Sequence, residues 1–470
     1  MRAAPRSGMG TWLLRAGLLR AGLLAALGLL VGLYGYVKFR SGLPHRVLWQ
    51  QAITIGPYLL AVLLLSRLRM AARTALLVIL GVGIALQIIA LCTPPGSSDD
   101  DYRYLWDAKV QLAGIDPYRY PVDAAELRGL RTPFFFSHRI PCAWPIDDGA
   151  VCSAINRPEV RTVYPPVAEA AFVLIRLASL GGHGGHLPVQ LAAGLGAVAV
   201  AWLLARRALA RGRPLWPVAL WAWCPLVATE FGNNAHIDWL AVLLCVLALS
   251  CEAARRSGTA GLLIGAAIAT KIYPGLVLMS LLRRRPGLVV GCTVGLVSLT
   301  YLPHMLAIGP DVLGYLPGYL KEERYTSGGR FLLFAPWLPG LLVPVAAALV
   351  LAGAALWVMA RTDPDAPEDS AVVMAAAVIL ISTPSYGWYA LLLLALVVMS
   401  GALEWLPVAI LPSFFYLIDS DFHLGADFGS ALYGAALLAS LVWFALRRRG
   451  ARSLADRQGA GASQPDQWQS

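Results

Sequence analysis

The chain has 470 residues, 58% of them hydrophobic and 14% charged, and its mean hydropathy is +0.64. Soluble globular chains carry roughly 25% charged residues, so this composition excludes a water-soluble domain and implies a bilayer. The net charge of +11 does not imply nucleic acid, because the basic residues stand in short clusters at the ends of apolar runs, as the positive-inside rule expects.

Strand-like alternation is absent, and spanning backbone must satisfy its own hydrogen bonds, so an all-α integral membrane protein is expected. An untilted span needs about 20 residues. Apolar windows fall near 18–37, 51–65, 73–92, 187–206, 215–230, 236–252, 259–283, 287–303, 338–360, 371–401, 404–418 and 430–446. "TKIYP" interrupts the 259–283 window and "STPSYGWY" the 371–401 window, so each reads as two shorter helices, giving about 14 transmembrane helices. The first run is long for a signal peptide and "RSGLPHR" offers no small-residue cleavage site, so a retained first span is expected.

Basic clusters set the orientation. Arg2, Arg6, Arg15 and Arg20 precede the first helix, and Arg67, Arg69 and Arg73 fill the second connection. Arg206, Arg207, Arg211, Arg213, Arg255, Arg256, Arg283 to Arg285 and Arg447 to Arg449 close later helices. Placing all of them in the cytoplasm lets the path alternate without conflict, with both termini inside a cell membrane. Tyr164 to Leu180 carries Glu169 and Arg176 and reads as an amphipathic surface helix. The expected organisation is N-terminal helices over 1–92, an extracytoplasmic loop over 93–186, a helical core over 187–446 with an outer loop at 302–338, and a disordered cytoplasmic tail over 447–470. Polar motifs scattered along the sequence then reach one face.

The first motif is "SSDDDYRYLWDAKV", residues 97–110. A serine cap and one or two acids suit the positive end of a helix dipole. Three adjacent carboxylates exceed that need, since they repel one another and are costly to desolvate. Cys142 and Cys152, the two cysteines of this loop, are expected to pair on an oxidising face. A zinc site would need more ligands than the nearby His138.

"EFGNNAHID" brings Glu230, Asn233, Asn234, His236 and Asp238 between two helices, more polar groups than a turn requires. They are candidate substrate ligands. Lys271, after an apolar helix, is a candidate phosphate ligand, with snorkelling to the headgroups as the ordinary alternative. Arg324 and Arg330 in "GYLKEERYTSGGRF" are candidates for bidentate phosphate binding, against a solvated charge run. Tyr386 and Trp388 suit either an interfacial aromatic belt or a sugar-stacking platform.

"SDDDYRYLWDAKVQLAGIDPYRYP", "INRPEVRTVYPPVAEA", "EFGNNAHID", "ATKIYP" and "PSYGWY" occur in the order found in bacterial polytopic glycosyltransferases of the C superfamily. The chain most resembles the polyprenyl-phosphate-mannose-dependent α-mannosyltransferases, over roughly residues 70 to 445. The resemblance implies a GT-C helical bundle roofed by its first long loop. It also implies a sugar donor on a polyprenyl phosphate, a glycan or glycolipid acceptor, and inversion at the anomeric carbon with a loop carboxylate as base. Carried onto this chain, the acidic pair falls on Asp99 and Asp100, while Asp101 stands where relatives have an apolar residue and reads as a cap. The same motifs put Arg103, Tyr164 and Tyr273 among the substrate-binding residues. No cofactor is expected, and a divalent metal is not required by the chemistry. A transporter or flippase of lipid-linked saccharides is the alternative; it would carry midplane charges and paired repeats.

Overall fold

The computed structural model describes residues 7–40, 45–138, 142–179 and 185–462. The fold is helical apart from one small sheet. Eight of the described helices are long and apolar enough to cross a membrane, or nine if the bent pair Pro225–Asn233 and Asp238–Ala253 counts as one span. About fourteen were expected. Other described apolar helices, such as Ser257–Ile268 and Gly387–Ser400, are shorter than an untilted span.

Helices α1 (Ser7–Phe39), α2 (Arg46–Arg67) and α3 (Ala72–Leu91) form an N-terminal group, with α1 packed against both others. A polar seam ties α1 and α2 to the core: Tyr34 Oη lies 3.2 Å from Thr229 Oγ1, and Gln51 Nε2 donates to the same oxygen at 2.8 Å. The window at 215–230 is not one helix. It divides into Val218–Ala222, Pro225–Val227 and a π-turn, Ala228–Asn233, because Pro225 cannot continue a helix. Trp221 and Trp223 are fully buried here, donating their indole N–H groups to the carbonyls of Ala197 and Ile79. Such broken backbone is tolerated at membrane depth only when wrapped in protein. The chain then bends by 116° into Asp238–Ala253.

The first long loop carries α4 (Asp100–Leu112), strands β1 (Phe136–Ser137), β2 (Trp144–Ile146) and β3 (Val151–Ser153), and α5 (Pro166–Ala178), before α6 (Leu187–Ala210) re-enters the bundle. The sheet order is β1-β3-β2, antiparallel throughout, with Trp144 opposite Ser153. The expected disulfide is present: Cys142 and Cys152 are bonded, with Cα atoms 5.5 Å apart. The other described cysteines are free. At 13 residues α5 is too short to span. Its Glu169 is buried against α4 while Leu174 and Leu177 are exposed, so the polar side of this amphipathic helix faces protein.

Helix Pro286–Ile308 runs into the region expected as loop 302–338, which also holds a short helix, Leu316–Glu322. This segment docks on the first loop, Tyr315 N donating to Thr162 O at 3.2 Å. Gly314 makes the approach possible: its φ is +54°, and a Cβ there would lie 1.9 Å from Thr162 O. The interruptions expected at "TKIYP" and "STPSYGWY" are present, as a 3-10 segment over Tyr273–Leu281 and a break between Glu368–Ser382 and Ala390–Ser400. The last helix, Gly425–Ala462, continues past Arg449 where a disordered tail was expected from 447; residues 463–470 lie outside the described residues.

Candidate active site

A cavity of about 740 Å³ opens where the first loop, the segment over 315–325, the Lys271 turn and the break near Trp388 meet. Asp99, Asp100, Arg103, Tyr164, Lys271, Tyr273, Tyr386 and Trp388, all named from the sequence motifs, line it. Residues nearly 300 positions apart in sequence thus share one wall.

The three adjacent acids have three different fates. Ser98 Oγ accepts from the Asp100 amide at 3.3 Å, just before the Asp99 N-cap position of α4. Asp99 is exposed at the cavity rim, where partial desolvation, then repulsion from Asp100 and Asp101, pushes its carboxyl above the ordinary value. Asp100 points into the wall: its Oδ1 accepts from Asn156 Nδ2 at 3.1 Å and its Oδ2 from Tyr164 Oη at 3.1 Å. Burial would raise its pKa, but the charges of His236 and Lys271 and the two hydrogen bonds outweigh burial and hold it below the usual carboxylate range. Asp101 was expected as a cap. It is instead fully buried and bonded through Oδ2 to His186 Nδ1, fastening the start of α4 to the start of α6; burial pushes its carboxyl up.

The "EFGNNAHID" turn, whose residues were expected as substrate ligands, lies behind the cavity, and none of its residues is among those lining it. Asn233 Nδ2 donates to the carbonyls of Ala90, Thr93 and Pro94, ending α3. Asn234 Nδ2 donates to Ser97 Oγ at 2.7 Å and to Glu230 Oε2 at 3.0 Å, and its Oδ1 accepts from Gly96 N. The two amides therefore hold the loop that presents Asp99 and Asp100. His236 is fully buried, with Nε2 3.2 Å from Glu230 Oε2 and Nδ1 3.6 Å from Asp100 Oδ2. Asp238, also buried, sits 3.4 Å from Lys271 Nζ.

Lys271 brings a cation to the cavity wall and is paired there with Asp238. Its ammonium lies over the rings of Tyr164 and Tyr389, at 5.0 and 5.8 Å from their centroids. Arg103 lines the cavity but spends its guanidinium on the carbonyls of Asn156, Arg157 and Val160. Arg324 and Arg330 do not reach the cavity, contrary to expectation. Arg324 is exposed in a left-handed turn with φ 59°, and Arg330 is held by Glu323 and Ser385. The other arginines on the cavity wall are Arg157, forked onto Glu322, and Arg161, paired with Asp311 at 2.7 Å. Arg157 and Asn156 belong to "INRPEV", where the sequence marks a motif but no role.

Aromatic groups complete the wall. Tyr386 stacks on Trp388 with centroids 4.5 Å apart, and Trp388 stacks on His236 at 3.8 Å. Trp144 from β2 lies against Asp99. Among the described residues no group of three or more His, Cys, Asp or Glu side chains is arranged to hold a metal.

No curated protein and no solved structure matches this chain. The model of glycosyltransferase family 87 matches residues 162–384, just under half of the chain, taking in Tyr164, the "EFGNNAHID" turn and Lys271 but not the acidic triplet. With eight described helices long and apolar enough to cross a membrane, this similarity to glycosyltransferase family 87 supports a membrane glycosyltransferase.

Proposed function

We propose that the protein transfers a hexose, mannose by its resemblance, from a polyprenyl-phosphate carrier to the hydroxyl of a glycan or glycolipid acceptor at an extracytoplasmic site. The observation that carries this reading is Asp100, an ionised carboxylate in the cavity wall with its two oxygens oriented by Asn156 and Tyr164. The acceptor oxygen attacks the anomeric carbon as its proton passes to Asp100. The bond from that carbon to the phosphate oxygen breaks, and its electron pair stays on the departing phosphate. Lys271 supplies the positive charge that stabilises it. Attack from the face opposite the phosphate inverts the anomeric centre. The apolar side of the cavity, including Leu276, Val378 and Ile379, suits the first prenyl units.

The Cys142–Cys152 disulfide supports placing the loop in an oxidising compartment, and the arginine clusters support cytoplasmic termini. Reporter fusions at Pro145 and Asp365 are expected to report opposite sides of the membrane; the same side for both breaks this orientation.

The direct test uses purified protein in detergent with radiolabelled polyprenyl-phosphate mannose and a crude envelope lipid acceptor. Asp100→Asn and Lys271→Met are each expected to lose transfer by about 10²-fold or more while remaining folded. Full transfer by Asp100→Asn removes the base.

A further inference from the structure

Among the described residues, His236 is the histidine with a carboxylate within 4.0 Å of each ring nitrogen. The imidazole has no exposed surface, and neither nitrogen has a hydrogen-bond partner of good geometry. What meets it is charge. Two carboxylates flanking one buried ring favour positive charge on it by proximity rather than through directed hydrogen bonds. Its face lies on Trp388 at 3.8 Å, an arrangement that favours a cation.

We propose that His236 is a positioning residue acting through Asp100 rather than a sugar ligand: bracketed by Glu230 and backed by Trp388, its imidazolium keeps the base ionised in the cavity wall and so sets the acid limit of transfer. No proton passes to or from His236 in the transfer step. The proton leaving the acceptor stops on Asp100, while Glu230 still balances the imidazolium. The proposal rests on reading Asp100 as the base.

The neighbouring charges agree with this assignment. Asp100 and Asp101 face His236 from α4, Glu230 faces it from the π-turn, and Lys38 of α1 acts on Glu230 from behind. Lys271 acts on Asp100 from the other side and is itself partnered by Asp238. The ion-pair contacts run from Glu230 to His236 to Asp100, and from Lys271 to Asp238. Removing the charge at His236 leaves Asp100 with burial opposed only by Lys271 and two hydrogen bonds.

The test reads the protonation of Asp100 without relying on turnover. Full-length protein in detergent is treated with a carbodiimide and an amine, which capture protonated carboxyl groups, and labelling of Asp100 is followed by peptide mass spectrometry from about pH 4 to pH 8. His236→Gln and His236→Asn are each expected to move the onset of labelling upward by about one pH unit or more. The acid limb of kcat/KM for radiolabelled polyprenyl-phosphate mannose is expected to move with it. An unchanged onset in folded His236→Gln overturns the proposal; if that variant does not fold, an unchanged onset in His236→Asn does so. Failure of wild-type transfer, or full transfer by Asp100→Asn, strikes the enzymatic reading instead, and the labelling result still decides whether His236 controls Asp100.

Discussion

Asn234 donates from Nδ2 to Ser97 Oγ at 2.7 Å, joining a buried turn to the loop before the acidic triplet across 137 residues of chain. Because the same amide also holds Glu230 and Gly96, it fixes where α4 begins. Asn234→Ala is expected to reduce turnover by about 10²-fold, the effect of an ångström-scale misplacement of a catalytic group. It should cost about 1–3 kcal/mol for the buried partners left unsatisfied. Turnover per folded molecule and thermal unfolding in detergent measure the two effects; wild-type values for both would refute the pinning role.

The three aspartates should separate cleanly. Asp100→Asn is expected to abolish transfer, whereas Asp99→Asn, at the exposed rim, should keep it within several-fold. Asp101→Asn breaks a buried pair with His186 and should lower stability by about 3–5 kcal/mol, with turnover per folded molecule nearly intact. Equal losses of turnover in all three would contradict the separate environments.

The disulfide closes a ten-residue separation and so contributes on the order of 2.5–3 kcal/mol to the hairpin bearing Trp144. Replacing both Cys142 and Cys152 with serine should loosen Trp144 against Asp99 and cut turnover several-fold. Proteolysis should become faster within residues 142–153 and nowhere else. Unchanged proteolysis would show that the strands hold themselves.

Glu169 and Asp107 face each other between α4 and α5, and burial is the main cause raising both, Asp107 to about 6. A carboxyl raised in the folded state binds more protons folded than unfolded, so stability falls as pH rises. The loss should begin near the unfolded carboxylate value, roughly 4, and extend past 6. Thermal unfolding should therefore occur at lower temperature at pH 8 than at pH 5. Glu169→Gln, which can still meet Gln111 and Thr162, should flatten that dependence. An equal slope in wild type and variant would exclude this pair as its source.

The apolar runs marked most spanning helices, because a bilayer demands length and hydrophobicity that any window reveals. They could not show that residues 218–233 break into short pieces, since that depends on a sheath of surrounding helices. Likewise, the charged run containing Arg324 and Arg330 reads the same whether it binds ligand or another loop. Only the docking of Glu323 and Ser385 on Arg330 decided that.

By itself the sequence determined a membrane-embedded helical chain, a loop disulfide and the acids, amides and cations from which a site is built, because hydropathy, cysteine pairing and local capping act over short stretches. The tertiary structure alone decided which of three adjacent aspartates faces the cavity between Asn156 and Tyr164, which is buried on His186, and which remains at the rim. The physical reason is that a carboxylate's solvation and charge partners come from segments 56 to 171 residues away, and nothing near Asp100 in the chain records them.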